Sequence, residues 1–422
     1  MPDWLSALAV LSALAFAAIA ALLVALRVNV RYHLERAGSL CDPDFASTLQ
    51  GLTNSPSRSV TSYRLYTDVP SIYTAMLQAI HQAERTITME TYLFWSGRTA
   101  EAFIQAFIER AQAGVEVKLL LDADGSRFLK RKAIARLKAG GCEVRLFRPF
   151  SWTQPVAYNH RTHRKLLVID GVVGFTGGIG VADMWFGPPP WLDLMLRLEG
   201  GVVELLQGAF FQDWVIAGGG LNLGRGYFPL APEAQITPEG PQGMVTTSAP
   251  IWGDSTMRLL YFSAIASAEQ RIWLASPYFL PNWDTAAALG AAALRGVEVR
   301  LLLPGPRNDK PFPYYASRRL YGTLLAAGVA IYEYQPAMMH AKAMLIDDRW
   351  VTLGSTNFDP RSFFLNSELN TTIADPGFAR EMSAFFEGAF ADSRRITLED
   401  WYARPWRERI GAVLGLLFKD QL

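Results

Sequence analysis

Apolar residues change their spacing along this chain, and each change predicts a different element. A bilayer core takes about 20 apolar residues as a helix, and residues 4 to 26 offer 23 without a charge, WLSALAVLSALAFAAIAALLVAL. Asp3 precedes the run, while Arg27, Arg31 and Arg36 follow it. Basic flanks stay on the cytoplasmic side. The pattern therefore predicts a single-pass anchor over 1–30, with the N-terminus outside and the bulk of the chain in the cytoplasm. A cleaved signal peptide wants positive charge ahead of the run and a small-residue cleavage site, which Asp3 and RVNVRYHLER fit poorly. Residues 31–60 are punctuated (AGSLCDPDF, GLTNSPSRS) and are expected to form a linker. Over 401–422, Trp406, Ile410, Val413, Leu414, Leu417 and Phe418 fall at helical spacing between basic residues, which predicts a C-terminal amphipathic helix.

Between these ends the pattern repeats itself. GVEVKLLL (114–121) returns as GVEVRLLL (296–303), each after an Ala-rich helical stretch, and each stretch follows a strand-like run, TITMETYLF (86–94) or RIWLASPYF (271–279). Strand, helix and strand in each half predict an α/β fold with a mostly parallel or mixed sheet flanked by helices. HRKLLVIDGVVGFTGG (163–178) matches HAKAMLIDDRWVTLGS (340–355) at a constant offset of 177. A repeat this long predicts two homologous lobes related by a pseudo-twofold axis. They are expected over 61–235 and 240–400, joined in the Pro- and Gly-rich stretch 229–243.

Composition narrows the class. Hydrophobic residues make up 50% and charged residues 19%, which excludes disorder for most of the chain. The two cysteines exclude a disulfide-rich scaffold and a four-cysteine zinc site. Lys plus Arg is 40 against 39 Asp plus Glu, so a surface committed as a whole to nucleic acid is not expected. One local exception is RFLKRKAIARLK (127–138), with six basic residues in twelve. It suits anionic headgroups, a polynucleotide backbone or simply a solvated helix face.

Two of only five histidines occupy equivalent points of the repeat, in the pattern His-x-Lys-x-x-x-x-Asp. Alternation along a strand puts His163 with Lys165, and His340 with Lys342, on one face. Asp170 and Asp347 fall off that parity, at turn-like positions, and are expected to fix the turn. Small residues at Gly177-Gly178 and Gly354-Ser355, with Asn357 nearby, let backbone amides approach an anion. Two imidazoles and two ammonium groups around one phosphorus are suited to phosphoryl chemistry without a metal: one neutral imidazole attacks, the other protonates the leaving alcohol, and the lysines stabilise the oxygens. Asp193 and Glu368 lie 30 and 28 residues beyond the two histidines. Both are expected to accept a histidine Nδ1–H and hold its tautomer, from strands beside each motif strand. His160 and His163 have no third metal ligand in register, and no G-x-S-x-G elbow is present.

At HRKLLVIDGVVGFTGGIG and HAKAMLIDDRWVTLGSTN the sequence resembles the phospholipase D superfamily. SPYFLPN (276–282), GVEVRLLLPGP and the segment 340–370 are most similar to bacterial cardiolipin synthases. The resemblance covers residues 61 to 400. It implies two phospholipase D-like lobes and a phosphohistidine mechanism with no cofactor. It also implies transfer of a phosphatidyl group between phosphatidylglycerol molecules at the bacterial inner membrane. By analogy His163 attacks and His340 donates the proton, with Lys165, Lys342, Asp170, Asp347 and Asn357 completing the catalytic set. One departure stands out: Gly180 replaces the Asn expected in the first copy, which removes an amide donor and makes the halves chemically unequal. Hydrolysis to phosphatidic acid and nuclease action use the same residues. The near-zero net charge and the anchor favour phospholipid over nucleic acid.

Overall fold

The computed structural model describes residues 38–40, 42–229, 240–249, 256–406 and 408–409, together with Trp4, Ser12 and Leu14. The chain divides into Met1–Glu35 and Arg36–Leu422, and every strand among the described residues belongs to the second unit. The expected anchor over 1–30 and most of the helix expected over 401–422 lie outside the described residues. Among these, no helix is long and apolar enough to cross a membrane.

The stretch expected as a linker carries structure. Helix α1 (Pro43–Thr53) starts where the Asp42 side chain accepts the Asp44 N–H and proline occupies the first turn. Leu49 is buried among Met257, Tyr261 and neighbouring residues. Strand β1 (Ser57–Ser59) follows and pairs with β9 (Gln242–Ser248). Turn-forming residues in 37–60 mark the ends of these short elements and hide what lies between.

Two sheets account for the rest. The first holds β2 (Ser62–Tyr66), β3 (Thr86–Thr91), β4 (Glu116–Asp122), β5 (Glu143–Phe147), β6 (Lys165–Ile169), β7 (Val173–Gly177) and β8 (Met195–Glu199), in the order β2-β8-β7-β6-β3-β4-β5. The second adds β10 (Arg271–Ala275), β11 (Glu298–Pro304), β12 (Ala330–Tyr334), β13 (Ala343–Ile346), β14 (Trp350–Gly354), β15 (Glu368–Ala374) and β16 (Ser393–Ile396) to β1 and β9. Its order is β1-β9-β15-β14-β13-β10-β11-β12-β16, so β15-β14-β13-β10-β11-β12 repeats β8-β7-β6-β3-β4-β5. The sheets, expected as mostly parallel or mixed, are mixed, with antiparallel pairs in the majority. Only β3-β4-β5 and β10-β11-β12 run parallel, and the remaining pairs are antiparallel. The reason is local: Asp170-Gly171 and Asp347-Asp348 all take positive φ, and such tight turns return the chain as a hairpin.

Both faces of each motif strand are buried, with alternating destinations. Leu166 and Val168 of β6 meet Ala343 and Leu345 of β13 in a central core. That core also takes Phe210 and Trp214 from helix α2 (Val202–Ile216) and Phe378 and Phe386 from helix α3 (Pro376–Ala391). Leu167 and Ile169 face an outer core on the first sheet, while Met344 and Ile346 face another on the second. Two equivalent strand ends are thereby held across one shared core.

Candidate active site

The two histidines lie just ahead of their strands, and each is tied to the opposite half of the chain. Thr162 bridges Ser367, and the His163 N–H donates to the Ser367 carbonyl at 2.8 Å. Likewise Leu192 bridges Met339, and the His340 N–H donates to the Leu192 carbonyl at 2.7 Å. These short parallel bridges set each histidine beside the other half's carboxylate. His163 Nδ1 lies 3.0 Å from both oxygens of Glu368, and His340 Nδ1 lies 2.7 Å from Asp193 Oδ2. Pairing therefore crosses between halves, whereas spacing had put each carboxylate with the histidine upstream of it. Nor do the carboxylate strands flank the motif strands, because β7 separates β6 from β8 and β14 separates β13 from β15.

His163, Lys165, His340, Lys342, Asn357, Asp193 and Glu368 are all buried. Lys165 Nζ donates to the His163 carbonyl and Lys342 Nζ to the His340 carbonyl, both at 2.6 Å. Lys342 Nζ also lies 3.0 Å from the ring nitrogens of His340. Burial, reinforced by the neighbouring Lys342, pushes Lys165 down to about 7. Lys342 is pushed down to about 8 by burial, against the pull of Asp193 and Glu368.

The two imidazole–carboxylate pairs differ electrically. Burial, then Lys165, Lys342 and His340, hold His163 well below the ordinary imidazole range. Burial also pushes its partner Glu368 up to about 7, against Lys165 and the Ser355 hydroxyl. His340 is lowered too, by burial and Lys342, but Asp193 works against that. Burial would raise Asp193, yet the charges of His340 and Lys342 and two side-chain hydrogen bonds leave it below the usual carboxylate range. One pair thus favours a neutral imidazole and the other retains a firm carboxylate beside its ring.

The donors holding each carboxylate explain Gly180. Glu368 accepts from Ser355 Oγ at 2.5 Å and Asn366 Nδ2 at 3.3 Å. At the repeat offset of 177, Ser355 corresponds to Gly178, Asn357 to Gly180 and Ser362 to Trp185. A Cβ on Gly178 would lie 2.0 Å from Asp193 Oδ1, so no serine fits. The buried Trp185 indole N–H donates to Asp193 Oδ2 at 3.0 Å in its stead, and the Leu194 N–H donates to Oδ1 at 2.9 Å. That indole fills the space beside Gly180, where a Cβ would meet Trp185 Cη2 at 3.2 Å and Leu93 Cβ at 2.9 Å. Relative to the second copy, the first has one indole in place of an amide and two hydroxyls. Trp185 was not singled out from the sequence. The signal for its role is a missing Asn and a new Trp five residues apart.

Asp170 and Asp347 are not brought to the imidazoles. They follow the far ends of β6 and β13, where Asp170 accepts the N–H groups of Glu84, Arg85 and Thr86, and Asp347 those of Glu269, Gln270 and Arg271. Their side chains bind the start of the adjacent strand, β3 or β10, while their positive φ shapes their own turn. Asn357 is buried in the second half, and its Oδ1 has no partner among the described residues. His160 is engaged with the Leu365 carbonyl at 3.1 Å. Arg164, between the motif His and Lys, escaped sequence reading. Fully buried, it donates to the carbonyls of Glu368, Ala209 and Ser248 and faces Asp213 at 3.6 Å.

Comparisons with known proteins agree with this architecture. The family described as "Cardiolipin synthase, PLD-like domain" matches residues 76–186 and 261–389. Cardiolipin synthase 1 of Bacillus anthracis is 33% identical over 374 residues, 86% of this chain and 73% of that protein. Cardiolipin synthase A of Pseudomonas aeruginosa is 36% identical over 354 residues, 83% and 71% of the two chains. Among solved structures, the phosphatidylserine synthase of Haemophilus influenzae superposes with a TM-score of 0.70 at 14% identity, over 90% of this chain and 100% of that one, which is a likeness of fold. On the family match and these relatives, the chain belongs to the cardiolipin synthase family of phospholipase D-like enzymes.

Proposed function

We propose that this enzyme transfers a phosphatidyl group from one phosphatidylglycerol to another through a phosphohistidine on His163. The observation that carries this reading is the pair of crossed imidazole–carboxylate couples with a buried lysine beside each. With Nδ1 engaged by Glu368, His163 presents Nε2 as a neutral nucleophile to phosphorus. The bond from phosphorus to the departing glycerol oxygen breaks, and His340 Nε2 gives that oxygen its proton, so glycerol leaves. Asp193 stabilises the imidazolium that this role requires. The terminal hydroxyl of a second phosphatidylglycerol then returns a proton to His340 Nε2 and attacks the same phosphorus. The phosphorus–nitrogen bond breaks, His163 is restored and cardiolipin is released. Lys165 and Lys342 neutralise the phosphoryl oxygens throughout.

The uncharged run Trp4–Leu26 supports a membrane anchor with the catalytic unit in the cytoplasm. The deciding experiment incubates the purified full chain with phosphatidylglycerol in mixed micelles and weighs the products. Cardiolipin with equimolar glycerol is expected. Phosphatidic acid alone would replace transfer by hydrolysis, and cleavage of single-stranded DNA without lipid turnover would replace both. Activity is expected to persist in EDTA, and its loss there would overturn a metal-free route.

A further inference from the structure

One surface next to the site is costly for a soluble face. Trp152 is 87% exposed, Phe128 53% and Phe150 50%. They are joined rather than scattered. Phe150 packs edge-on to Trp152 at 4.9 Å and to Tyr158 at 5.6 Å. The Tyr158 hydroxyl donates to Asp124, which also holds Arg127, and Arg127 lies over Phe128 at 4.8 Å. A cluster of this kind marks an interaction surface where a lone exposed aromatic does not.

Its flank is basic. Lys130, Arg131 and Lys132 are exposed and have no ion pair among the described residues. They open helix α4 (Arg131–Ala139), whose first turn contains no acidic residue. Cations are disfavoured at that end of a helix, although Lys132 lies within the field of Glu101. The patch also leads directly to the site. Arg161 lies over Tyr158 at 4.5 Å and reaches Asp122 at 3.3 Å, and Asp122 accepts the Thr162 N–H beside His163.

We propose that Phe128, Phe150 and Trp152, with Lys130, Arg131 and Lys132, seat the catalytic unit on an anionic bilayer surface. The amphipathic indole of Trp152 belongs at the headgroup level, the apolar rings of Phe128 and Phe150 dip toward the acyl boundary, and the cations meet anionic headgroups. Seating there places the His163 side of the site against the membrane that holds its substrate. The inference rests on the proposed action on phospholipids, but its test reads contact and needs no turnover.

The test uses the full chain carrying Cys41→Ser and Trp152→Cys, labelled at residue 152 with a nitrobenzoxadiazole fluorophore; Cys142 is 4% exposed and stays unlabelled. A control carries Arg349→Cys, an exposed position in the β13–β14 turn. Both are reconstituted in phosphatidylcholine vesicles with and without phosphatidylglycerol. Emission from residue 152 is expected to shift to the blue and to be quenched by spin-labelled lipid when phosphatidylglycerol is present, while residue 349 stays in water. Combining Lys130→Glu, Arg131→Glu and Lys132→Glu should abolish the shift without loss of thermal stability. The shift should persist in His163→Asn, which separates seating from catalysis. A residue 152 as wet as residue 349 overturns the proposal. A shift induced by single-stranded DNA and not by vesicles overturns it in favour of a polynucleotide surface.

Discussion

Trp185 gives Asp193 a hydrogen bond that serine side chains give Glu368, and its edge packs on His340 at 5.6 Å. Trp185→Phe keeps the packing and removes the donor. One hydrogen bond to a carboxylate is worth about 1.5 kcal/mol, so kcat is expected to fall roughly tenfold. The basic limb of the pH profile should move with it, while a purely packing role would change only thermal stability. The lysines set a second residue-scale expectation. Their folded-state values of about 7 and about 8 mean that charge is lost as pH rises through that range. Turnover should therefore decline on the alkaline side between those values as one coupled titration, and a profile still rising above them would contradict the role given to the ammonium groups. Motif residues were legible because the repeat placed His163, Lys165, His340 and Lys342 in register. Trp185 and Arg164 were not, because neither has a counterpart of its own type in the other copy.

At the scale of elements, the motif strands carry two separable duties at opposite ends. Lys165 opens β6 at the site, while Asp170 closes the far end by gathering three backbone N–H groups. Asp347 does the same beyond β13. Asp347→Asn should cost about 2 kcal/mol of stability through weakened charge-assisted hydrogen bonds, lowering Tm while the folded fraction keeps its kcat. A loss of kcat with unchanged Tm would return Asp347 to the chemistry. The βαβ units and the hairpin turns could be read from alternation and turn residues. The antiparallel majority was underestimated because hairpin strands match in local pattern whether or not their neighbours run parallel. Crossed bridging at Thr162–Ser367 and Leu192–Met339 joins residues 205 and 147 positions apart, and nothing in local sequence encodes it.

Across the whole molecule, the crossing assigns each carboxylate to a step in the other half. A p-nitrophenyl phosphodiester separates the steps, because its leaving group departs without a proton. Glu368→Gln, acting on the proposed nucleophile His163, should suppress the burst of p-nitrophenol by on the order of 10²-fold or more. Asp193→Asn, acting on the proposed acid His340, should leave the burst and slow the return to free enzyme. The opposite pattern would exchange the roles of the two histidines. Neither half expressed alone should be active, since each then holds an imidazole without its supporting carboxylate.

A duplicated chain is usually free to let one copy decay while the other keeps the work. On the proposed roles that freedom is missing, because damage to one copy's acidic residue would disable its sibling's ring. A change in either copy is then felt in the other, and the copies already differ at this contact: where the second has asparagine and serines, the first has glycines and a tryptophan, with the hydrogen bond to Asp193 supplied by the indole.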